Sequence, residues 1–131
     1  MFYSGNLMLI EVKIGERFEK VAGLRSTRVS IQNNLIDASN KNSGEWRELL
    51  PSSGLKSVSV SGHGISTNSQ VEQVMFTAAF NNMILQYRLH FGNGNILEGK
   101  FQIASFDKAG NFNEEENYYL ALESSGPITI L

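Results

Sequence analysis

The side chains of this sequence that could do chemistry are two histidines, several serines and a run of glutamates. His63 and His90 lie far apart and show no metal-ligand spacing. Their positions suggest no Ser-His-Asp arrangement either. The run Glu114 to Glu116 could bind a cation, but a solvated loop tip is the better interpretation. The chain has no cysteine, which excludes disulfides, thiolate metal sites and cysteine nucleophiles.

The glycines near residue 95 resemble a fragment of a phosphate-binding loop, with Gly92-x-Gly94 followed by Gly99. In a phosphate-binding loop a helix follows the glycines, whereas here a strand pattern follows them. A β-hairpin is therefore the better interpretation. Asp37 and Asp107 have no sequence partner that suggests a carboxylate pair. The sequence predicts no catalytic residue, no metal site and no cofactor, and it indicates that the protein is not an enzyme.

Length and composition indicate one small domain. The chain has 131 residues and a net charge of −2, so it lacks the basic surface typical of nucleic-acid binders. Near the N-terminus, Glu11 and Lys13 interrupt an apolar run that no basic segment precedes. We therefore expect neither a signal peptide nor a membrane span. We expect a single domain over residues 1–131, made and kept in a cytoplasm or in something assembled there.

Alternation of apolar and polar residues predicts about eight strands. The predicted strands cover Leu7–Ile14, Arg17–Ala22, residues 27–32, Leu35–Ala38, Leu55–Ile65, residues 85–91, the segment after Gly94 and Asn117–Ser124, and Ile128–Leu131 makes a last short segment. Turn signals such as Gly15-Glu16, Asn33-Asn34 and Ala109-Gly110-Asn111 separate them, and residues 113–116 form a polar tip. This pattern is typical of a mainly β fold, an antiparallel β-sandwich or small barrel.

The hairpin around Gly92-Asn93-Gly94 has a register that can be predicted. A two-residue loop would pair Leu89 with Glu98 and mix the two faces. A three-residue loop keeps one face apolar, and a slip of one residue would invert it. The predicted pairs are Leu89 with Leu97, Tyr87 with Gly99, Leu85 with Phe101 and Met83 with Ile103. We expect this longer loop, with Gly94 in the left-handed region.

One flanking α-helix is predicted at about 69–81. Ser69 can cap it, and Glu72 stands where a capping box requires a glutamate. Apolar residues recur at helical spacing and predict core packing. They are Val71, Val74, Met75, Ala78 and Ala79, with Phe76 and Phe80 widening the stripe.

A long loop at about 39–53 is the least ordinary feature. Compact domains rarely keep such a loop without a use for it. It carries Trp46, the only tryptophan, together with Leu49 and Leu50 in polar surroundings. One helical turn is expected over Glu45–Leu50, ended by Pro51. We predict that this loop docks on a partner.

Three strands have small polar faces that either meet water or line a wet channel. These faces are Arg28/Ser30/Gln32, Ser57/Ser59/Ser61/His63 and Gln86/Arg88/His90. The Trp46 loop and the apolar ends, Leu7–Ile10 and Ile128–Leu131, are candidate contacts with identical neighbours. Head-to-tail contacts of that kind produce rings or filaments.

Several segments, in their order and spacing, match one known family over nearly the whole chain. They are Ala22–Arg25, Asp37–Lys41, Trp46–Leu50, Lys56–Gly62, Leu97–Ile103, Ala109-Gly110 and Leu120–Gly126. With these segments the chain resembles the major tail protein (tail tube) family of long-tailed, non-contractile phages and gene transfer agents. Met1–Asn6 departs most from the pattern.

The resemblance implies a β-sandwich with one flanking helix, and homo-hexameric rings stacked into a tube through which genome DNA passes without specific binding. It implies a virion tail made in the bacterial host cytoplasm, with tape measure, tail tip and terminator proteins as partners and no membrane. The long loop would reach a neighbouring subunit through Trp46, Arg47, Glu48, Leu49 and Leu50. For the lumen face we select Ser57, Ser59 and Ser61.

A basic lumen wall would hinder the passage of DNA, because each lysine or arginine that contacts a phosphate adds salt-sensitive affinity for DNA. We therefore expect a neutral or negative lumen, with Arg28 and Arg88 paired or turned away. Two alternatives stay open at this point. One is a tube protein of a tailocin or type VI-like secretion apparatus, which carries no DNA. The other is a small β-barrel ligand-binding module, which requires an apolar pocket with convergent polar groups.

Overall fold

The computed structural model describes residues 8–51, 54–110 and 115–131, and within those ranges the chain forms eight strands and one helix. The elements are β1 (Leu9–Ile14), β2 (Arg17–Lys20), β3 (Leu24–Asn33), β4 (Lys56–Ile65), α1 (Gln70–Phe80), β5 (Ile84–His90), β6 (Ile96–Ala109), β7 (Asn117–Ser124) and β8 (Thr129–Ile130). The predicted mainly β fold with about eight strands and one flanking helix is confirmed.

These strands make one antiparallel sheet in the order β2-β1-β5-β6-β7-β4-β3. The 14-residue strand β6 is long enough to pair with β8 near its start and with β7 over the rest. A register shift between Ile103 and Ser105 interrupts the β6–β7 ladder. Such bulges bend a strand and increase its twist, and the sheet curls into a half-barrel.

The core lies on one side of this curled sheet, because each strand alternates apolar and polar residues. Ile10 and Val12 on β1 are fully buried, as the alternation predicts. α1 covers the core with Met75 and Ala78. The other buried apolar residues are Val21, Val58, Val60, Tyr87, Leu89, Leu97, Phe101, Ile103, Tyr118, Leu120 and Leu122. The polar residues of the same strands therefore share the opposite face of the sheet.

The β5–β6 hairpin has the predicted register. Leu89 pairs with Leu97, Tyr87 with Gly99 and Leu85 with Phe101. The amide of Phe91 donates to the carbonyl of Asn95 over 2.9 Å, which leaves a three-residue loop, and Gly94 has φ +95°. β5 begins at Ile84, so the predicted pair of Met83 with Ile103 lies beyond its end.

The helix begins and ends where the sequence predicts, with Ser69 as N-cap and Asn81 as C-cap. The amide of Glu72 donates to Ser69 Oγ over 3.1 Å. The Glu72 carboxylate is buried and accepts from Ser66 Oγ, 2.7 Å away, and Lys108 Nζ lies 3.5 Å from it. The prediction that Phe76 and Phe80 belong to the core is wrong, because both are exposed on the outer side of α1.

Some predicted boundaries differ from the structure. β2 ends at Lys20, and the predicted strand Leu35–Ala38 is reduced to one antiparallel bridge between Asp37 and Leu49. Several predicted features lie outside the described residues: Leu7 at the start of the first strand, residues 52–53 at the end of the loop, Asn111 in a turn, and Asn113 and Glu114 at the polar tip.

Two buried tyrosine side chains make the free energy of unfolding depend on pH in the alkaline range. Burial raises the pKa of Tyr118 from 10.0 to about 12, helped by the nearby Glu72 carboxylate, and burial also raises the pKa of Tyr87. From pH 10 to about 12 the unfolded chain loses protons that the folded chain keeps. Because the unfolded state then binds fewer protons, the free energy of unfolding falls as pH rises.

We predict that Tyr118→Phe and Tyr87→Phe each reduce this fall. The measurement is urea unfolding at a series of pH values from neutral to alkaline. Tyr119→Phe is the matched control, since the Tyr119 ring is exposed. An equal alkaline slope in the parent chain and in both buried-tyrosine variants would contradict the prediction.

Candidate functional site

The long segment between β3 and β4 is an irregular hairpin, which we call the arm (residues 34–55, of which 52–53 lie outside the description). The amide of Asn34 donates to Leu55 at its base over 2.9 Å. Further out, the amide of Leu50 donates to Ile36 over 2.9 Å and that of Ala38 to Glu48 over 2.8 Å. Since these backbone groups pair across the arm, the predicted helical turn over Glu45–Leu50 is wrong.

Short polar side chains shape the outer part of the arm. Asp37 Oδ1 accepts from the amide of Ser39 over 2.7 Å, and Ser39 Oγ accepts from the amide of Glu48 over 2.8 Å. The hydrogen bonds from Ser39 hold the pKa of the Asp37 carboxyl below its usual value. Asn40 Oδ1 accepts in the same way from Asn42 over 2.8 Å. Local hydrogen bonds of this kind replace regular secondary structure at the outer part of the arm.

The arm exposes large apolar side chains. Trp46 is 80% exposed, and Leu49 and Leu50 are 37% and 48% exposed. Arg47 and Glu48 between them are exposed as well. Further exposed apolar residues of the arm and its base are Ile31, Leu35, Ile36 and Leu55. Several large apolar side chains exposed along one segment are typical of an interaction surface.

The predicted serines lie on the face of the sheet opposite the core. Ser57, Ser59 and Ser61 alternate with the buried valines of β4. We define the serine face as these three residues with their cross-strand neighbours Arg28, Ser30 and Gln32 on β3, and Ala121 and Glu123 on β7. Ser59 Oγ donates to Glu123 Oε2 over 2.7 Å. The face therefore combines hydroxyls and an amide with one positive and one negative charge.

The two arginines of interest lie in different surroundings. Arg88 Nε is 3.5 Å from Glu98 Oε1, and its guanidinium lies over the Phe18 ring, 4.0 Å from the centroid. Arg28 is exposed opposite Ser61, and within the described residues it forms no ion pair. Pairing is therefore observed for Arg88 but not for Arg28. If the serine face lines the lumen, Arg28 lies on the lumen wall.

The histidines take part in separate local contacts. His63 stacks on Tyr119 with the ring centroids 5.3 Å apart, and His90 Nε2 lies 2.5 Å from Glu11 Oε1. Residues 8–51, 54–110 and 115–131 contain no group of three or more His, Asp and Glu side chains placed to hold a metal ion. In the same ranges no helix is long and apolar enough to cross a membrane.

The sequence missed an apolar patch on the outer side of α1. Phe76 and Phe80 are 46% and 79% exposed. We call these two residues the α1 patch. Their helical spacing predicted burial in the subunit's own core. A usable signal was present, because no charged residue stands on that side of the helix.

A family model described as phage tail tube protein matches residues 3–130. The chain belongs to the phage tail tube protein family. No curated protein sequence is significantly similar to it.

Several solved structures are similar to this tail tube family member. The matching chain in the tail of an empty gene transfer agent (GTA) particle, refined helically with C6 symmetry, is 33% identical in sequence. The TM-score is 0.88, and 95% of each chain is covered. The matching chain in the virion of a native GTA particle is 32% identical in sequence, with TM-score 0.87 and 98% of each chain covered. The SPP1 tail tube shares the fold at 10% identity, with TM-score 0.75, 96% of this chain and 77% of that chain covered.

The resemblance read from the sequence is therefore confirmed, and the chain is a structural subunit of a tail tube. The role of this family is structural. The geometry brings Trp46, Leu49 and Leu50 together on one exposed arm, and it puts Ser57, Ser59 and Ser61 together on one face. The roles of these two sets as subunit contact and as lumen wall stay predictions.

Proposed function

We propose that this tail tube subunit forms hexameric rings, and that these rings stack into a conduit through which DNA leaves the particle. The arm is the observation that carries the proposal, since it projects three large apolar side chains that the subunit's own fold leaves exposed. The C6 symmetry of the similar GTA tail supports a ring of six. We further propose that the subunit acts without enzymatic activity.

In this proposal the arm segment Trp46–Leu50 contacts a neighbouring subunit. The local hydrogen bonds of Asp37 and Ser39 support it, because they hold the arm in shape before contact. Less conformational entropy is then lost on association. Arg47 and Glu48 carry opposite charges at the edge of the apolar side chains, where a polar rim is usual in protein interfaces.

We assign the serine face to the lumen. A wall of short hydroxyl side chains gives DNA few charged groups to bind. Arg28 is the exception, and Glu123 on the same face balances its charge. The tape measure, tail tip and terminator proteins are the expected partners of the assembled tube. The site of action is the virion tail, after synthesis in the host cytoplasm.

Electron microscopy of the concentrated protein tests the assembly, and thiol labelling tests the lumen. The parent chain has no cysteine, so Ser61→Cys introduces a single thiol at an exposed position of the serine face. Tubes are treated with a small maleimide or with a maleimide on a polymer too large to enter. Labelling by the small reagent alone is expected. Labelling by both reagents would put the face outside the tube, and labelling by neither would put it in a subunit contact.

We predict that Ser61→Lys slows DNA passage while tubes still assemble. Stacked rings would bring many added lysines close to phosphates, and each contact adds salt-sensitive affinity. The measurement is the rate of DNA release from particles built with the variant, at low and at raised salt. Ser61→Gln is the control for side-chain size. A release rate equal to that of the control at low salt would contradict the prediction.

A further inference from the structure

The α1 patch has the composition of an interface core. The two phenylalanines stack on one another with centroids 6.5 Å apart, and Phe76 meets Phe106 edge-on at 6.1 Å. These contacts fix the rings in place, although Phe80 keeps 79% of its surface exposed. Exposed aromatic surface that is already ordered loses little entropy on binding.

The exposed side of α1 also lacks charge. The only charged residue of the helix is Glu72, and its carboxylate is buried against Ser66 and Lys108. The exposed polar residues of the helix on that side, Gln70, Gln73 and Thr77, are uncharged. A helix that faces water normally carries charged residues on its outer side. Depletion of charge with enrichment of aromatic residues is typical of an interface core.

A concave depression lies beside the patch. It has a volume of about 270 Å³ and is lined by Phe76, Ala79, Phe80, Ile103 and Phe106, with Asn82, Ala104 and Ser105 completing the lining. This mixture of apolar and polar groups suits one tryptophan side chain, because its ring is apolar and its indole N–H needs a hydrogen-bond partner. On protein interfaces such hollows typically receive a tryptophan or tyrosine anchor.

The arm carries the anchor that fits. The arm runs into β4 at Lys56. The chain leaves β4 at the opposite end of the strand, Ile65, and continues from there to α1. These ends are about 30 Å apart, because a strand rises about 3.3 Å per residue. A copy displaced along the direction of β4 would therefore bring its arm towards the α1 patch of its neighbour. Head-to-tail contacts need two different surfaces on each subunit, and this chain exposes both.

We propose that the arm of one subunit docks on the α1 patch of a neighbouring copy, with Trp46 in the depression beside Phe80. This inference rests on the proposed tube assembly and identifies the surface that receives the arm. It assigns a role to the exposed rings of Phe76 and Phe80, which their place in the subunit alone leaves unexplained.

Cross-linking at positions next to the apolar contacts tests the proposal. Arg47→Cys and Thr77→Cys are combined in one chain, since both residues are exposed and Trp46 and Phe80 stay intact. A short bismaleimide is then added to assembled protein. The matched control combines Arg47→Cys with Thr129→Cys, beside Ile130, which is another exposed apolar residue at 73%.

A ladder of covalent oligomers longer than dimers is expected from the Arg47/Thr77 pair alone. Each single-cysteine variant can give at most a dimer. Electron microscopy of the same samples tests separately whether tubes assemble and whether the α1 patch receives the arm. Tubes without the Arg47/Thr77 ladder, or with a ladder from the Arg47/Thr129 control, would overturn the α1 patch as receptor and leave the proposed function standing. Absence of rings and tubes from the parent and from both pairs would count against the proposed function itself.

Discussion

Replacing Trp46 with glutamate is expected to leave the subunit folded and to prevent tubes at concentrations where the parent assembles. The fold should survive because Trp46 is 80% exposed in the subunit. Removing a buried tryptophan anchor from an interface costs at least about 2 kcal/mol. That cost alone raises the dissociation constant of each contact by roughly 30-fold. The glutamate charge, buried without a partner, adds to it.

The measurement compares tube formation by electron microscopy with folding by circular dichroism at the same concentrations. Lys41→Gln is the matched control, because it changes the net charge by the same amount within the same arm and leaves Trp46 in place. Trp46 is also the only tryptophan, so its fluorescence in the parent reports on the arm directly. Emission should shift to shorter wavelength as tubes form. Tubes of Trp46→Glu at the parental concentration would refute the role of the arm.

Elements whose residues face one core could be predicted from the sequence. The β5–β6 register followed from the requirement that Leu85, Tyr87 and Leu89 share an apolar face, and the structure has this register. The start of the helix followed from Ser69, whose hydroxyl accepts from the third residue after it. In both cases local chemistry and tertiary burial favour the same answer.

The sequence was misleading where the fold of the subunit leaves apolar residues exposed. Phe76 and Phe80 have the spacing of a core stripe, yet α1 turns them outward. Periodicity reveals that a face is apolar, but it does not reveal whether the subunit or a neighbour covers that face. In the arm, residues Glu45–Leu50 favour a helix by composition, but they form hydrogen bonds across the arm instead, such as the one from Leu50 to Ile36. Propensity is a weak prior, and backbone pairing overrides it.

Two glycines of β4 illustrate a prediction that the structure made sharper. In the sequence, Gly62 and Gly64 replace side chains on the apolar face of the Leu55–Ile65 strand, and this pattern predicts a bulge or a close backbone approach. The structure has both: a register shift between Leu24 and Ser26 in the β3–β4 pair, and the backbone of Gly23 lying against Gly64. From the sequence alone one could not predict which of the two glycines packs against the backbone of the neighbouring strand and which packs mainly against side chains.

Gly64→Ala is expected to destabilise the subunit strongly, by about 3 kcal/mol. An added Cβ would collide with the carbonyl group of Gly23, and this carbonyl accepts from the amide of Ile65 over 3.0 Å. Since neither backbone can move without breaking that hydrogen bond, the β3–β4 pair must separate locally at the base of the sheet. For a domain of this size the loss corresponds to a fall in Tm of about 10 °C.

Gly62→Ala is the matched control on the same face of the same strand. Its Cβ would meet the side chains of Leu24 and Thr27 at 3.0 and 3.2 Å, and side chains can shift by a few tenths of an ångström. We expect a loss of about 1 kcal/mol there. Urea and thermal unfolding of both variants provide the comparison. If Gly64→Ala were no less stable than Gly62→Ala, the close backbone approach between β3 and β4 would not be a feature of the folded subunit.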